Sequence, residues 1–188
     1  MLGMPAGMRY FGLQSLPVFV WSVLLFLTPE LRAQDWEVLG PNSRVMKHRD
    51  GSKTYYRRTA GQKVLVKKNV SADGKVRLVT HYYMDDLGNP RSCKIYNGSN
   101  KLLYKVSYGY QISTGRLMKE RMFFADKKDP KTGKSLVASE TRYTYDSQGN
   151  RSKPMVFTFV EGRSAETLFG RKTTLPDKVF KDQGATAQ

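Results

Sequence analysis

From Lys101 to Ile112 every even position is apolar (Leu102, Tyr104, Val106, Tyr108, Tyr110, Ile112), while Lys, Ser, Gly or Gln fill most odd ones. A helix repeats its apolar face every three or four residues, so a period of two describes an extended strand with one side turned to a core. The rest of the chain is cut about every ten to eighteen residues by a glycine-bearing turn, and most of the intervening segments repeat the alternation. Such a chain folds as successive hairpins.

Taken in order, the pattern predicts strands at residues 44–48, 53–59, 63–70, 75–84, 91–96, 101–112, 116–125, 136–145 and 155–160. Residues 34–41 form a short lead whose Trp36, Val38 and Leu39 dock on the first strands. Each turn carries glycine, the residue that supplies positive φ in tight hairpins, and Asn97-Gly98 between two alternating runs is the strongest of these signals. The run 155–160 is apolar at both parities, which predicts the most buried strand or a place where two layers meet. Pro176 to Lys181 suggests one helical turn with proline at its first position, and residues 182–188 read as a frayed tail. No segment is long and periodic enough for an amphipathic helix. The apolar face must therefore be covered by curling of the sheet, by another part of it, by the C-terminal segment or by a partner. The expected fold class is all-β: one antiparallel meander of about nine or ten strands, twisted or curled, over residues 34–181.

Residues 1–33 have the form of a targeting segment. Arg9 is followed by an apolar run from Leu16 to Leu27 and then by a polar stretch ending in Ala33, which predicts cleavage there. The rival is an uncleaved anchor starting near Tyr10. Export places the protein in the periplasm, on the envelope or outside the cell. Cys93 is the only cysteine, so no intrachain disulfide can form. Its alternation with Arg91 and Ile95 makes it a small buried hydrophobe.

Lys and Arg total 32 against 16 Asp and Glu, a formal charge of +16. Removing residues 1–33 takes away Arg9, Arg32 and Glu30 and leaves about +15. Many acidic residues, Asp50, Asp73, Asp85, Asp86, Asp126, Asp129 and Asp146, fall in turns, whereas Lys75, Arg77, Lys101, Lys105, Arg116, Lys119, Arg121 and Arg142 occupy the strands or their ends. These eight are the candidate polyanion-binding residues. An exported chain does not meet intracellular nucleic acid, so the expected partners are anionic polysaccharides, lipid headgroups or other polyanions. The alternative reading of the same basic residues is a solvated face that discourages aggregation.

Catalytic chemistry is poorly provided for. His48 and His81 are the only histidines and lie in no metal-ligand spacing. Asp85 and Asp86 are adjacent, so on an extended chain they point in opposite directions, and aspartate before Gly88 is ordinary turn chemistry. No phosphate loop, dinucleotide fingerprint or nucleophile elbow occurs. A non-enzymatic protein without cofactor or metal is expected.

Two segments align with each other: Tyr82-Tyr83-Met84-Asp85-Asp86-Leu87-Gly88-Asn89 and Tyr143-Thr144-Tyr145-Asp146-Ser147-Gln148-Gly149-Asn150. Followed by Arg151, the second resembles the unit of YD-repeat proteins of the Rhs type, Tyr-x-Tyr-Asp with a glycine and a basic or polar residue after a short gap. The first has Met84 where the second tyrosine belongs. Gly74-Lys75 and Gly115-Arg116 echo the glycine-basic step, and MORN-like hairpin repeats are similar. The resemblance implies β-sheet architecture and a binding surface rather than an activity. Two functions follow as expectations: an exported binder of anionic polymers through a Lys/Arg/Tyr sheet face, or a structural subunit that joins other chains by strand addition at its open edges.

Overall fold

The computed structural model describes residues 36–180, so the stretches expected to be a targeting segment and a frayed tail lie outside the described residues. Ten strands form one antiparallel sheet: β1 (Trp36–Gly40), β2 (Ser43–Lys47), β3 (Lys53–Arg58), β4 (Val64–Val70), β5 (Val76–Met84), β6 (Pro90–Asn97), β7 (Leu102–Tyr110), β8 (Leu117–Lys128), β9 (Ser135–Arg142) and β10 (Met155–Thr158). Order in space follows order in the chain, and β1 and β10 remain as the two free edges. This is the expected meander. The stretch expected as a docked lead is itself a strand, β1, with Val38 and Leu39 exposed.

Five hairpins close alike, at residues 48–52, 71–75, 85–89, 97–101 and 146–150. In each, the fourth residue donates its N–H to the first carbonyl, and the first N–H bonds to the fifth carbonyl, at 2.8–3.1 Å. The fourth residue lies in the left-handed region, as a turn closed by a glycine bulge requires. Glycine does not always supply it: Asn100 does so at φ 61°, and Gln62 has φ 55° in the turn before β4. Gly98 serves a different need, because a Cβ there would overlap the carbonyl oxygen of Val76 on β5. Asp85 and Asp146, the aspartates of the two aligned units, hold their turns by accepting from the third and fifth N–H groups at 2.8–3.0 Å.

One face carries the core. Tyr56, Leu65, Tyr82, Cys93, Ile95, Tyr104, Val106, Tyr108, Met122, Phe124 and Ala138 are buried there. Ile112, at the end of the alternating run, lies past β7 and is fully exposed.

The C-terminal segment covers this face. A short helix, α1 (Ala165–Phe169), is capped by Ser164, which accepts from the Thr167 N–H, and ends at Gly170 with φ 67°. The chain then crosses the strands as a strap. Thr141 on β9 bonds the Lys172 carbonyl at 3.3 Å, and at the far end Phe180 lies between the guanidinium groups of Arg44 and Arg58, at 5.1 and 4.4 Å. Between these points residues 173–179 carry no regular structure, and Thr174 and Asp177 are drawn to Tyr82 and Tyr56, so the helical turn expected around Pro176 does not form among the described residues.

The run 155–160 reverses its expectation. It is not the most buried strand: β10 is an edge, and Met155, Phe157, Phe159 and Val160 are exposed. Apolar residues at both parities reflect an unprotected edge rather than a doubly covered strand.

Candidate functional site

The buried face is occupied by its own strap through polar pins. Glu120 is only 3% exposed, and its oxygens accept from the Tyr143 hydroxyl, Thr173 Oγ1 (2.5 Å), Thr174 N–H (2.7 Å) and Thr174 Oγ1 (2.6 Å). Tyr82 donates to the Thr174 carbonyl at 2.9 Å, and the Tyr108 hydroxyl lies 3.0 Å from Thr174 Oγ1. Asp177 takes Lys67 at 2.8 Å, Arg171 at 2.5 Å and the Tyr56 hydroxyl. Burial alone would raise the Asp177 carboxyl, but the charges of Lys67 and Arg171 and the hydrogen bonds from Lys67 and Tyr56 outweigh it and hold the group below the usual carboxylate range. Burial pulls the Lys67 ammonium down, and Asp177 offsets only part of that. Burial also pushes the Cys93 thiol up to about 12, which makes it a poor nucleophile. Among the described residues no group of three or more His, Cys, Asp or Glu is placed to hold a metal ion.

The opposite face of the sheet is open. Its residues follow from the register: Lys94 on β6 faces Lys105 on β7, which faces Phe123 on β8. One row along, Ser92 faces Ser107, then Arg121 and Glu140 follow on β8 and β9. The next row runs from Gly109 through Lys119 to Arg142. Rows on one face are about 7 Å apart, and residues directly opposite each other are about 5 Å apart. Ser92, Ser107 and Gly109 have little or no side chain, so they form a low floor between flanks of Lys94, Lys105, Lys119 and Arg121.

Like charges directly opposite each other destabilise a sheet, yet Lys94 faces Lys105 and Lys119 faces Arg142. Compensation is local and partial. Glu140, 3% exposed, takes Arg121 Nη2 at 2.5 Å and Arg142 Nε at 2.6 Å. Burial would raise its carboxyl, but hydrogen bonds from Arg142 and then Arg121 hold it down. Among the described residues, no carboxylate pairs with Lys94, Lys105 or Lys119. Aromatic rings line the same face: Lys94 Nζ sits 5.4 Å from the Tyr83 ring, and Arg142 lies 5.1 Å from that of Phe157. His81, opposite Lys94, is held below its ordinary pKa by burial and by the Lys94 charge, so near neutrality it adds no charge of its own.

Of the eight residues singled out in the sequence, Lys105, Lys119, Arg121 and Arg142 come together on this face. The other four do not join them. Lys101 and Arg116 flank opposite ends of β7, about 30 Å apart. Lys75 precedes β5 and pairs with Asp73 at 3.1 Å, while Arg77 is the extra residue of the β4–β5 bulge. Arg116 lies 5.2 Å from the Tyr145 ring. Lys94, outside those eight, shares this face, and its alternation with the buried Cys93 and Ile95 is the sequence signal that places it there.

No protein-family model matches the chain, and no curated protein matches it. No described helix is long and apolar enough to cross a membrane.

Proposed function

We propose that this is an exported, non-catalytic binding protein of the cell envelope or extracellular space, which holds anionic polymers or surfaces against the outer face of β6–β9. The observation that carries the reading is Lys94 opposite Lys105, two cations at the closest cross-strand spacing with no carboxylate between them. An anion bound over Ser107 would relieve that repulsion, and the serine hydroxyls could donate to sulfate, phosphate or carboxylate oxygens. Spacing supports a polymer: cations recur at about 5 Å across and about 7 Å along the strands, so a chain bearing an anion on each unit would meet several at once. Glu140 argues for a built site rather than bulk charge, because it fixes Arg121 and Arg142 in place while neutralising only part of the cluster. The reading rests on this face and on the sequence pattern of residues 1–33; the YD-repeat resemblance contributes only the idea of hairpins that present a surface.

Heparin-column elution tests it. Reversing Lys105 and Lys119 together to Glu should lower the eluting salt concentration well below that of the variant with Lys131→Glu and Lys134→Glu, which changes net charge equally in the loop between β8 and β9. Contacts of this kind weaken steeply as salt screens them. Elution of the two variants at the same salt would leave only bulk charge and remove the site.

A further inference from the structure

The last strand, β10, and the two residues that follow it, before the turn in which Arg163 N–H donates to the Val160 carbonyl, carry a palindrome. Val156-Phe157-Thr158-Phe159-Val160 reads the same in both directions about Thr158. We propose that the β10 edge is a two-fold interface, at which a second copy of this chain pairs antiparallel about Thr158 and joins two ten-stranded sheets.

The phase of the ladder suits this pairing. Phe159 N–H donates to the Ala138 carbonyl at 2.9 Å, and Phe157 and Met155 face Glu140 and Arg142. Bonded and non-bonded pairs alternate in an antiparallel ladder, so residues 155, 157 and 159 turn their backbone groups toward β9, whereas Val156 and Thr158 turn theirs to the open edge. Pairing centred on Thr158 lets the two copies of that residue exchange N–H···O bonds. Each Phe157 then meets Phe159 of the second copy on the outer face, and each Val156 meets Val160 on the inner one. Aromatic, β-branched and threonine pairs of these kinds stabilise sheets.

Exposure and charge point the same way. Met155, Phe157, Phe159 and Val160 account for four of the nine exposed large hydrophobic side chains among the described residues. Edge strands are ordinarily guarded by charge, proline or a bulge, and nothing within the run is charged. The other free edge offers no such match. β1 is not self-complementary, and joining β1 to β10 would be a head-to-tail contact that propagates instead of closing.

The joined sheet would carry both basic faces on one side, because residues opposite each other across an antiparallel pair project to the same side. The interface does not depend on that face binding anything.

Sedimentation equilibrium of the purified protein at high micromolar concentration should give twice the chain mass. Thr158→Pro removes a donor aimed at the open edge without touching the bonds to β9, and should be monomeric while still unfolding cooperatively. Phe159→Lys should behave likewise. Ile112→Lys removes an exposed hydrophobe elsewhere and should stay dimeric. In a two-fold pair the Thr158 Cα atoms lie about 5.5 Å apart, within disulfide reach, so Thr158→Cys should cross-link to itself under mild oxidation; Val38→Cys on β1 should not. A monomeric wild-type protein, a dimer that survives Thr158→Pro, or cross-linking through Val38→Cys but not Thr158→Cys would overturn the proposal. The first outcome would leave the edge to a different chain.

Discussion

Two glycines of the same sheet illustrate how differently one residue type is used. Gly98 sits where the β6–β7 turn folds against β5, and a methyl group there would press on the Val76 carbonyl oxygen, a backbone atom that cannot move aside. Gly61 has open space around its Cα and does not need a left-handed φ, since Gln62 takes that conformation. Gly98→Ala should therefore cost on the order of 1–3 kcal/mol, the usual range for overpacking. Gly61→Ala should be neutral or slightly stabilising, because it restricts only the unfolded chain. Urea denaturation of the two variants measures the difference directly. If both lose the same stability, the contact with Val76 has no energetic weight.

At the level of the strand, the alternation in β7 makes an equally sharp distinction between neighbours. Val106 is 2% exposed and lies between Cys93 and Met122, whereas Lys105 is exposed beside Lys94. Val106→Asp places an unpaired carboxylate in the core at a cost of several kcal/mol, comparable with the whole stability of a small domain. Lys105→Asp should leave the melting curve nearly unchanged, or shift it slightly upward by removing a like-charge pair. Circular dichroism melts decide between these, and equal damage from both would mean the faces are reversed. Period-two alternation makes the strands legible in the sequence, and the glycine-bearing turns between them make the meander legible. Register is not legible there. In β6 the residues of the hydrophobic core, Cys93 and Ile95, are odd-numbered, while in β7 they are even; the extra residue at Leu103, opposite the step from Ile95 to Tyr96, reconciles the two. A one-residue slip exchanges the faces of a strand. Only with that bulge in hand does Lys94 fall opposite Lys105, which is why charge and alternation alone do not say that Lys105, Lys119, Arg121 and Arg142 share a face while Lys75, Arg77, Lys101 and Arg116 lie elsewhere. The strap escapes for a different reason: its contacts are polar pins spaced to match strands it crosses, and a chain crossing a sheet has no period of its own.

For the molecule as a whole, the strap is what lets an open sheet keep one face dry. Its fixed points are few and chemically distinct: hydroxyl and amide donors converge on Glu120, two cations and a tyrosine converge on Asp177, and Phe180 is held between Arg44 and Arg58. Asp177 makes closure pH-dependent. Its folded pKa lies below the ordinary carboxylate value, so its stabilising contribution is fully present above the unfolded pKa near 3.9 and is lost as pH falls through the lower folded value. Protonation leaves Lys67, 7% exposed, without its counter-charge, and uncovering a buried cation in this way is costly. The strap end should therefore loosen in acid while the hairpins, held by backbone bonds and by Asx turns, persist. Hydrogen exchange should show protection lost from residues 171–180 before it is lost from β5–β8. Asp177→Asn should be less stable than wild type at neutral pH and should flatten the acid limb of the stability profile between about pH 5 and 2. An unchanged acid limb in that variant would show that the strap is held by Glu120 and Phe180 alone.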